Sequence, residues 1–100
     1  MAKLTIVYWR DIPAQVIVKA GRKTAKQVLP ERFEKAIDRA AMRSGARDTD
    51  AYLAEWRRGE PQTCGDDIEA AATAAAARLD EAYDDDRLRA LVMAGGREEG

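Results

Sequence analysis

The two most strand-like segments of the sequence lie within its first 20 residues, and most of the remaining chain is helix-like. Residues 4–9 and 14–19 are rich in β-branched side chains, which favour strands. The segment 10–13 separates them, and the simplest pairing is a β-hairpin. Two strands alone are barely stable in water, so helices must cover one face or a partner must add strands. The sequence therefore predicts an α+β fold, with an N-terminal β-hairpin or small antiparallel sheet packed by three to four helices.

Apolar residues recur at helical spacing in the middle of the chain. Phe33 and Ile37 share one stripe of a helix that follows Pro30 and ends at Gly45, a typical C-cap residue. A second helix follows it and buries Trp56 before Gly59 and the next proline. These two segments predict a helical pair over residues 30–58.

The C-terminal part contains the best helix formers of the chain. The Ala-rich run 70–77 predicts a long helix that starts at Asp66, and the three aspartates at 84–86 can cap a last short helix. We therefore expect an Ala-rich helical segment over 66–93, and strands over 1–20. Together these segments make one domain over 1–94, followed by a flexible tail over 95–100.

Two connecting segments lack a clear periodicity. Residues 20–30 are basic, and a short helical turn starting at Thr24 is one interpretation of them. Residues 60–65 are predicted to be a polar linker that contains Cys64, the single cysteine. Because the chain has no histidine to act as a base, we interpret this cysteine as an incidental thiol.

The apolar content predicts a thin core, and the charges divide the chain into a basic N-terminal part and an acidic C-terminal part. Leu, Ile, Val and Phe together number only 17, whereas Ala numbers 20. Residues 1–60 carry 13 basic and 8 acidic side chains, and residues 61–100 carry 4 basic and 10 acidic ones. This asymmetry indicates that the halves attract each other or face different partners. The nearly neutral total of −1 argues against a nucleic acid as the partner.

The composition excludes several function classes. With no histidine, the chain has no His-containing triad and no His-ligated metal, and its single cysteine forbids an internal disulfide. The carboxylates from Asp80 to Asp86 lack the spacing of a calcium loop, so we interpret them as caps and as a solvated cluster. We expect no cofactor, no metal and no catalytic residue. Without a membrane span or signal-peptide pattern, we expect a cytoplasmic protein.

A basic stripe along the first predicted helix is the main candidate for binding. Arg32, Lys35, Arg39 and Arg43 fall within about a third of the helix circumference at ~100° per residue. The stripe predicts a docking surface for an acidic protein, a nucleotide or a phosphate. A solvated helix face is the alternative interpretation.

A second candidate combines the end of the first strand with the basic loop. Tyr8, Trp9 and Arg10 could clamp a planar ligand by stacking and hydrogen bonding. Arg22 and Lys23 follow the second strand, as a phosphate-binding loop would, but the glycine pattern of such a loop is absent. The structural alternatives are two aromatic rings packed in the core and a plain basic connector.

Several blocks of the sequence resemble a small bacterial family described as "virulence factor". They are LTIVYWRDIPAQV at 4–16, LPERF at 29–33, AID at 36–38, and DAYL at 50–53 followed by Trp56. The resemblance covers about residues 3–60. Short alphaproteobacterial members of the family accompany genes of folate- and corrinoid-linked one-carbon metabolism. The same domain occurs in larger proteins with HEAT-like repeats and a NifU-like N-terminal segment.

The resemblance implies an accessory or adaptor part and assigns no catalytic residue. The first hypothesis is therefore a non-enzymatic accessory subunit that binds another protein or a second copy of itself, in folate- or corrinoid-linked one-carbon metabolism. Its contact residues would be Trp9, Arg10, Trp56 and the basic stripe. The alternative is a domain that binds a small anion resembling phosphate, folate or a nucleotide, through Tyr8 to Arg10 and the loop at Arg22 and Lys23.

Overall fold

The computed structural model describes residues 2–45 and 48–97. The strands are β1 (Ala2–Trp9), β2 (Ile12–Ala20), β3 (Lys23–Val28), β4 (Trp56–Arg58) and β5 (Gln62–Cys64). The helices are α1 (Glu31–Ser44), α2 (Thr49–Ala54), α3 (Ile68–Ala82) and α4 (Asp85–Met93). The predicted α+β fold with a small antiparallel sheet is confirmed.

The sheet is built around β1. The strand order is β3-β2-β1-β4, every pair is antiparallel, and β5 also pairs with β1. β4 pairs with residues 7–9 of β1, and β5 pairs with residues 2–4, so the two short strands lie end to end along one edge. Between them the Gly59 N–H donates to the Ile6 carbonyl at 2.8 Å. The register differs by one residue between β4 and β5, as it does across a β-bulge.

Two predictions for the connecting segments are wrong. Residues 23–28 form the edge strand β3 instead of a helical turn at Thr24, and the expected linker contains β5. In β3 only Ala25 is buried, where it pairs with Val18, and the exposed lysines of this strand are typical of a protected edge. Neither strand has the apolar alternation of a half-buried strand, so their pairing with the hairpin decides their conformation.

One face of the sheet forms the core together with the helices. Leu4, Val18 and Ala25 lie side by side across three strands and belong to the buried cluster, whereas the neighbouring row of Lys3, Lys19 and Thr24 is exposed. α3 packs against β2 and β3. It does so with three buried alanines, whose small side chains let the helix approach closely. α1 packs against α4 and β2 and closes the core.

The helix ends agree with most of the capping signals. α1 ends at Ser44 and is capped by Gly45, whose φ of 82° is left-handed. At the start of α4 the Asp84 carboxylate accepts from the Arg87 N–H at 2.8 Å. The start of α3 differs from the prediction because Asp67, rather than Asp66, is its N-cap. The second predicted helix is also shorter than expected. It ends at Ala54, and Trp56 begins β4.

The segment after α4 folds back onto the hairpin. Gly95 and Gly96 are buried, and the Gly96 carbonyl accepts from the Asp11 N–H at 2.8 Å. A flexible tail was expected from residue 95, but these backbone hydrogen bonds and the contact with Trp9 hold residues 95 and 96 in place. Residues 98–100 of the predicted tail lie outside the described part of the chain.

Candidate functional site

The end of β1 is occupied by the protein's own side chains. Trp9 is fully buried, its indole N–H donates to the Tyr52 carbonyl at 3.0 Å, and its ring stacks on the Tyr52 ring at 5.8 Å. Arg57 lies over the Tyr8 ring at 4.5 Å and pairs with Asp11 at 3.1 Å. Both aromatic faces of the proposed clamp are thus already in contact with this chain.

Arg10, at the β1–β2 turn, contacts other segments of this chain through its backbone and its side chain. Its φ of 54° is unusual for a residue with a side chain, and its backbone N–H donates to the Glu55 carbonyl at 3.0 Å. The Arg10 guanidinium donates from Nη1 to the Gly95 carbonyl at 2.7 Å. Its Nη2 donates to the Glu55 Oε1 at 3.5 Å, and its Nε lies 3.3 Å from the same carboxylate without hydrogen-bond geometry. The side chain is only 13% exposed, so it joins three segments of the chain instead of facing solvent.

Arg22 and Lys23 are exposed beside the β2–β3 turn. The nine-residue strand β2 separates this turn from the β1–β2 turn at Arg10. At about 3.3 Å per residue, the two turns lie roughly 25–30 Å apart. The structure therefore does not bring the two halves of the second candidate site together.

The basic stripe borders a cleft between α1 and α4. This basic cleft has a volume of about 240 Å³, and its polar walls carry four cations and one carboxylate. Those side chains are Arg32, Lys35, Arg39, Arg89 and Asp85. Ala36, Leu88 and Val92 supply the apolar lining. Three of the four stripe residues line the cleft, while the fourth, Arg43, lies near its end and donates to the Met93 carbonyl at 3.2 Å.

The cations of the basic cleft are unequally neutralised. Lys35 lies 3.7 Å from Glu31, and Arg89 lies 3.9 Å from Asp86, both in exposed pairs that are worth little in water. Arg39 has no ion-pair partner among residues 2–45 and 48–97. The cleft thus presents positive charge above an apolar lining.

Arg89 was not predicted as a site residue. It lies in the short helix α4, where it is one of two arginines that follow two aspartates. Only the packing of α4 against α1 places Arg89 opposite Arg39 and Lys35. Helical spacing within α1 identifies the stripe, but no local pattern identifies its continuation on another helix.

Trp56 lies in a different depression, on the other side of α1. This acidic groove has a volume of about 340 Å³, and its side chains come from β2, β3, the β3–α1 connection, α1, α2 and β4. Its polar and aromatic residues are Gln15, Glu34, Asp38, Tyr52 and Trp56, and its apolar ones are Ala14, Val28, Leu29 and Ile37. The Trp56 and Tyr52 rings meet edge to face at 5.9 Å. Apart from Trp56, no residue of the groove was a predicted site residue.

The family comparison matches most of the chain. The model of the family described as "Virulence factor" covers residues 7–92. The chain belongs to the virulence factor family. Neither the curated proteins nor the solved structures include one that matches it.

The described part of this virulence factor family domain holds no group of three or more Cys, Asp or Glu residues that could bind a metal ion. The carboxylates of Asp80 and Asp85 both contact Arg32, and Asp84 caps α4. Cys64 is half-buried in β5, next to β1. Within the described residues, no helix has the length and apolarity to span a membrane.

Arg32 of the virulence factor family domain also has a structural contact. Its Nη2 donates to the Asp80 carboxylate and to the Asp80 carbonyl, both at 2.6 Å, and its guanidinium lies 4.5 Å from the Phe33 ring centre. A further ion pair reaches Asp85 at 3.4 Å. These contacts join the basic N-terminal half to the acidic C-terminal half.

We expect Arg32→Met to lower the free energy of unfolding by about 1–2 kcal/mol, since charged hydrogen bonds are lost at a partly exposed site. Arg39→Met is the matched control and should cost less than about 0.5 kcal/mol. Urea denaturation measures both variants. Equal losses of unfolding free energy in the two variants would mean that the Arg32 contacts do not stabilise the fold. If Arg32→Met loses more stability than Arg39→Met, Arg32 is unsuitable for testing binding.

Proposed function

We propose that this virulence factor family domain is a non-enzymatic protein-interaction module whose basic cleft binds an acidic segment of another protein. The observation that carries the proposal is the group of four cations beside an apolar lining between α1 and α4. Three of them pair with carboxylates of the described chain, and Arg39 does not. Arg39 and Arg89 are exposed there. A segment that alternates acidic and apolar side chains would neutralise Arg39 and cover the partly exposed Val92.

The chemistry of the remaining surface supports binding more than catalysis. The carboxylates nearest the basic cleft have structural contacts, because Asp80 and Asp85 pair with Arg32 and Asp84 caps α4. The partner class that the sequence resemblance suggests is an enzyme of folate- or corrinoid-linked one-carbon metabolism that transfers methyl groups or handles a cofactor. The cytoplasm is the compartment that fits such a partner.

A small anion is the competing occupant of the same cleft. Phosphate- or folate-like groups would contact Arg39 and Arg89, but a cleft of about 240 Å³ is small and open for such a ligand. Binding of a small anion should raise the melting temperature with concentration, as mass action requires. Thermal shift with pyrophosphate and a folate therefore separates this alternative from protein binding.

Charge reversal in the basic cleft tests the proposal. The tagged wild-type chain and the double variant Arg39→Glu with Arg89→Glu are purified from the native host, and the co-purified proteins are quantified. Arg78→Glu, on the exposed side of α3, is the matched control. Each reversed rim charge should weaken a complementary partner about tenfold, which corresponds to about 1.4 kcal/mol.

The expected result is a partner that the wild type and Arg78→Glu retain and the double variant loses. Equal retention by all three chains would contradict the proposal, and so would equal loss in Arg78→Glu and the double variant. Sedimentation of the isolated chain tests whether the partner is a second copy of the chain. There, the double variant should dissociate a wild-type dimer.

A further inference from the structure

The acidic groove combines an apolar base with a polar rim. Leu29 and Ile37 at its base are almost fully buried, whereas Val28 at its edge is 65% exposed. The groove therefore lies directly above core residues, and no other segment of the described chain covers its edge at Val28. Leu53, on the α2 helix that carries Tyr52, is 58% exposed. The exposed Val28 at the edge of the groove is thus available to an apolar side chain of a partner.

The aromatic wall of the groove is held in place by the core. Tyr52 stacks on the buried Trp9 ring at 5.8 Å, and its backbone carbonyl accepts from the Trp9 indole at 3.0 Å. Trp56 is set by its pairing with Trp9 across β1 and β4. The edge-to-face pair of Tyr52 and Trp56 is thus preorganised, which lowers the entropic cost of binding.

Two carboxylates stand on the opposite wall. Glu34 and Asp38 lie one turn apart on α1 and are exposed, and neither has an ion-pair partner in the described chain. Their field reaches the aromatic wall. Burial raises the pKa of the Tyr52 phenol, and the charges of Asp38 and Glu34 raise it further, while a hydrogen bond with Trp56 opposes them.

We propose that the acidic groove binds an arginine or lysine side chain from a basic segment of a partner protein, between the Tyr52–Trp56 pair and the carboxylates of Glu34 and Asp38. The aliphatic stem of such a side chain matches the apolar base, and its charged end matches the two carboxylates. Aromatic rings add attraction for a cation that lies over their faces.

The open shape of the groove favours a protein segment over a small molecule. A site for a small ligand usually encloses most of the ligand surface, whereas the exposed Val28 extends the apolar surface past the rim of this groove. A neighbouring apolar residue of a peptide would cover Val28. This site lies on a different side of α1 from the basic cleft and has the opposite charge, so it selects a different partner segment.

The test uses a tetrapeptide that alternates leucine and arginine, with capped ends, as the probe. Two-dimensional NMR of the ¹⁵N-labelled chain follows the Trp56 indole and the backbone of Ile37 and Asp38 during titration, because Lys35 and Ala36 line the basic cleft. The control probe alternates leucine and glutamate. The matched variants are Glu34→Gln with Asp38→Asn, and Glu31→Gln on the same helix outside the groove.

The expected result is a localised shift of the Trp56 indole signal with the arginine probe and none with the glutamate probe. The double variant should raise the Kd at least about tenfold, and Glu31→Gln should leave it within about twofold. Unchanged melting temperatures show that the variants fold. Equal binding by the double variant would overturn the proposal.

The source of the cation is tested separately. Tetramethylammonium carries the charge without the stem and without a neighbouring apolar residue. If it binds as tightly as the tetrapeptide, the site is one for small organic cations, and the assignment to a protein segment is overturned. Because Arg39 and Arg89 are unchanged in these variants, the result is independent of the basic cleft.

Discussion

Replacing Trp9 by alanine is expected to lower the free energy of unfolding by about 3–5 kcal/mol, the usual cost of deleting a buried tryptophan. Trp9 is 0% exposed, and it contacts Tyr52 through its ring and its indole N–H. Its removal leaves a cavity and takes one hydrogen bond from the Tyr52 carbonyl, which keeps the 3.3 Å bond from the Glu55 N–H. The thin core makes this loss large, because small domains are stable by only about 5–15 kcal/mol.

The melting temperature measures this effect directly. For a domain of this size, each kcal/mol shifts the melting temperature by about 4–8 °C. Trp56→Ala is the matched control, since Trp56 is only half-buried at the edge of the acidic groove, and its loss should be less than half as large. If the two variants lost equal stability, Trp9 would not be the centre of the packing at the β1–β2 turn.

Gly96→Ala is expected to be the second most destabilising change, with a loss of about 2–4 kcal/mol. A Cβ atom at this position would lie 2.8 Å from the Trp9 ring, which the core holds in place, and the φ of 93° is unfavourable for any side chain. A measured loss of this size would show that the segment after α4 belongs to the folded structure.

Gly45→Ala separates the two causes of this loss. Gly45 has a similar φ of 82°, but an added Cβ would meet no atom within 4 Å. It should therefore cost only the conformational strain, about 1–2 kcal/mol. Chemical denaturation of both variants gives the difference. Equal losses would mean that residue 96 does not pack against Trp9.

The β1–β2 hairpin and α1 could be predicted because short sequence patterns determine them. The hairpin follows from the β-branched runs on either side of residues 10–13, and α1 follows from the spacing of Phe33 and Ile37 and from the cap at Gly45. β3, β4 and β5 could not be predicted in this way. They are short or polar, and they are strands because they pair with β1 and β2.

The candidate sites also combine residues that a local pattern predicts with residues that only long-range contacts bring together. Helical spacing grouped Arg32, Lys35 and Arg39 on one side of α1, and these three residues line the basic cleft. Arg89 and the acidic groove depend on contacts between elements that are far apart in the sequence. Sequence reasoning also could not foresee that Arg10 would be held by Glu55 and Gly95, since both contacts are long-range.

The basic cleft and the acidic groove lie on two sides of the same helix. α1 contributes Arg39 to one surface and Asp38 to the other, so neighbouring residues of the sequence face oppositely charged sites. Such an arrangement suits a small adaptor that contacts two differently charged segments. Separate variants in the two sites keep their contributions apart.

Site-specific photocrosslinking in the native host tests the binding role of the basic cleft most directly. A photoreactive amino acid replaces Arg39 in one chain and Arg78, on the exposed side of α3, in another. We expect adducts from position 39 that map to an acidic segment of one protein, and few from position 78. Position 39 yielding no more adducts than position 78 would contradict a docking role for the basic cleft.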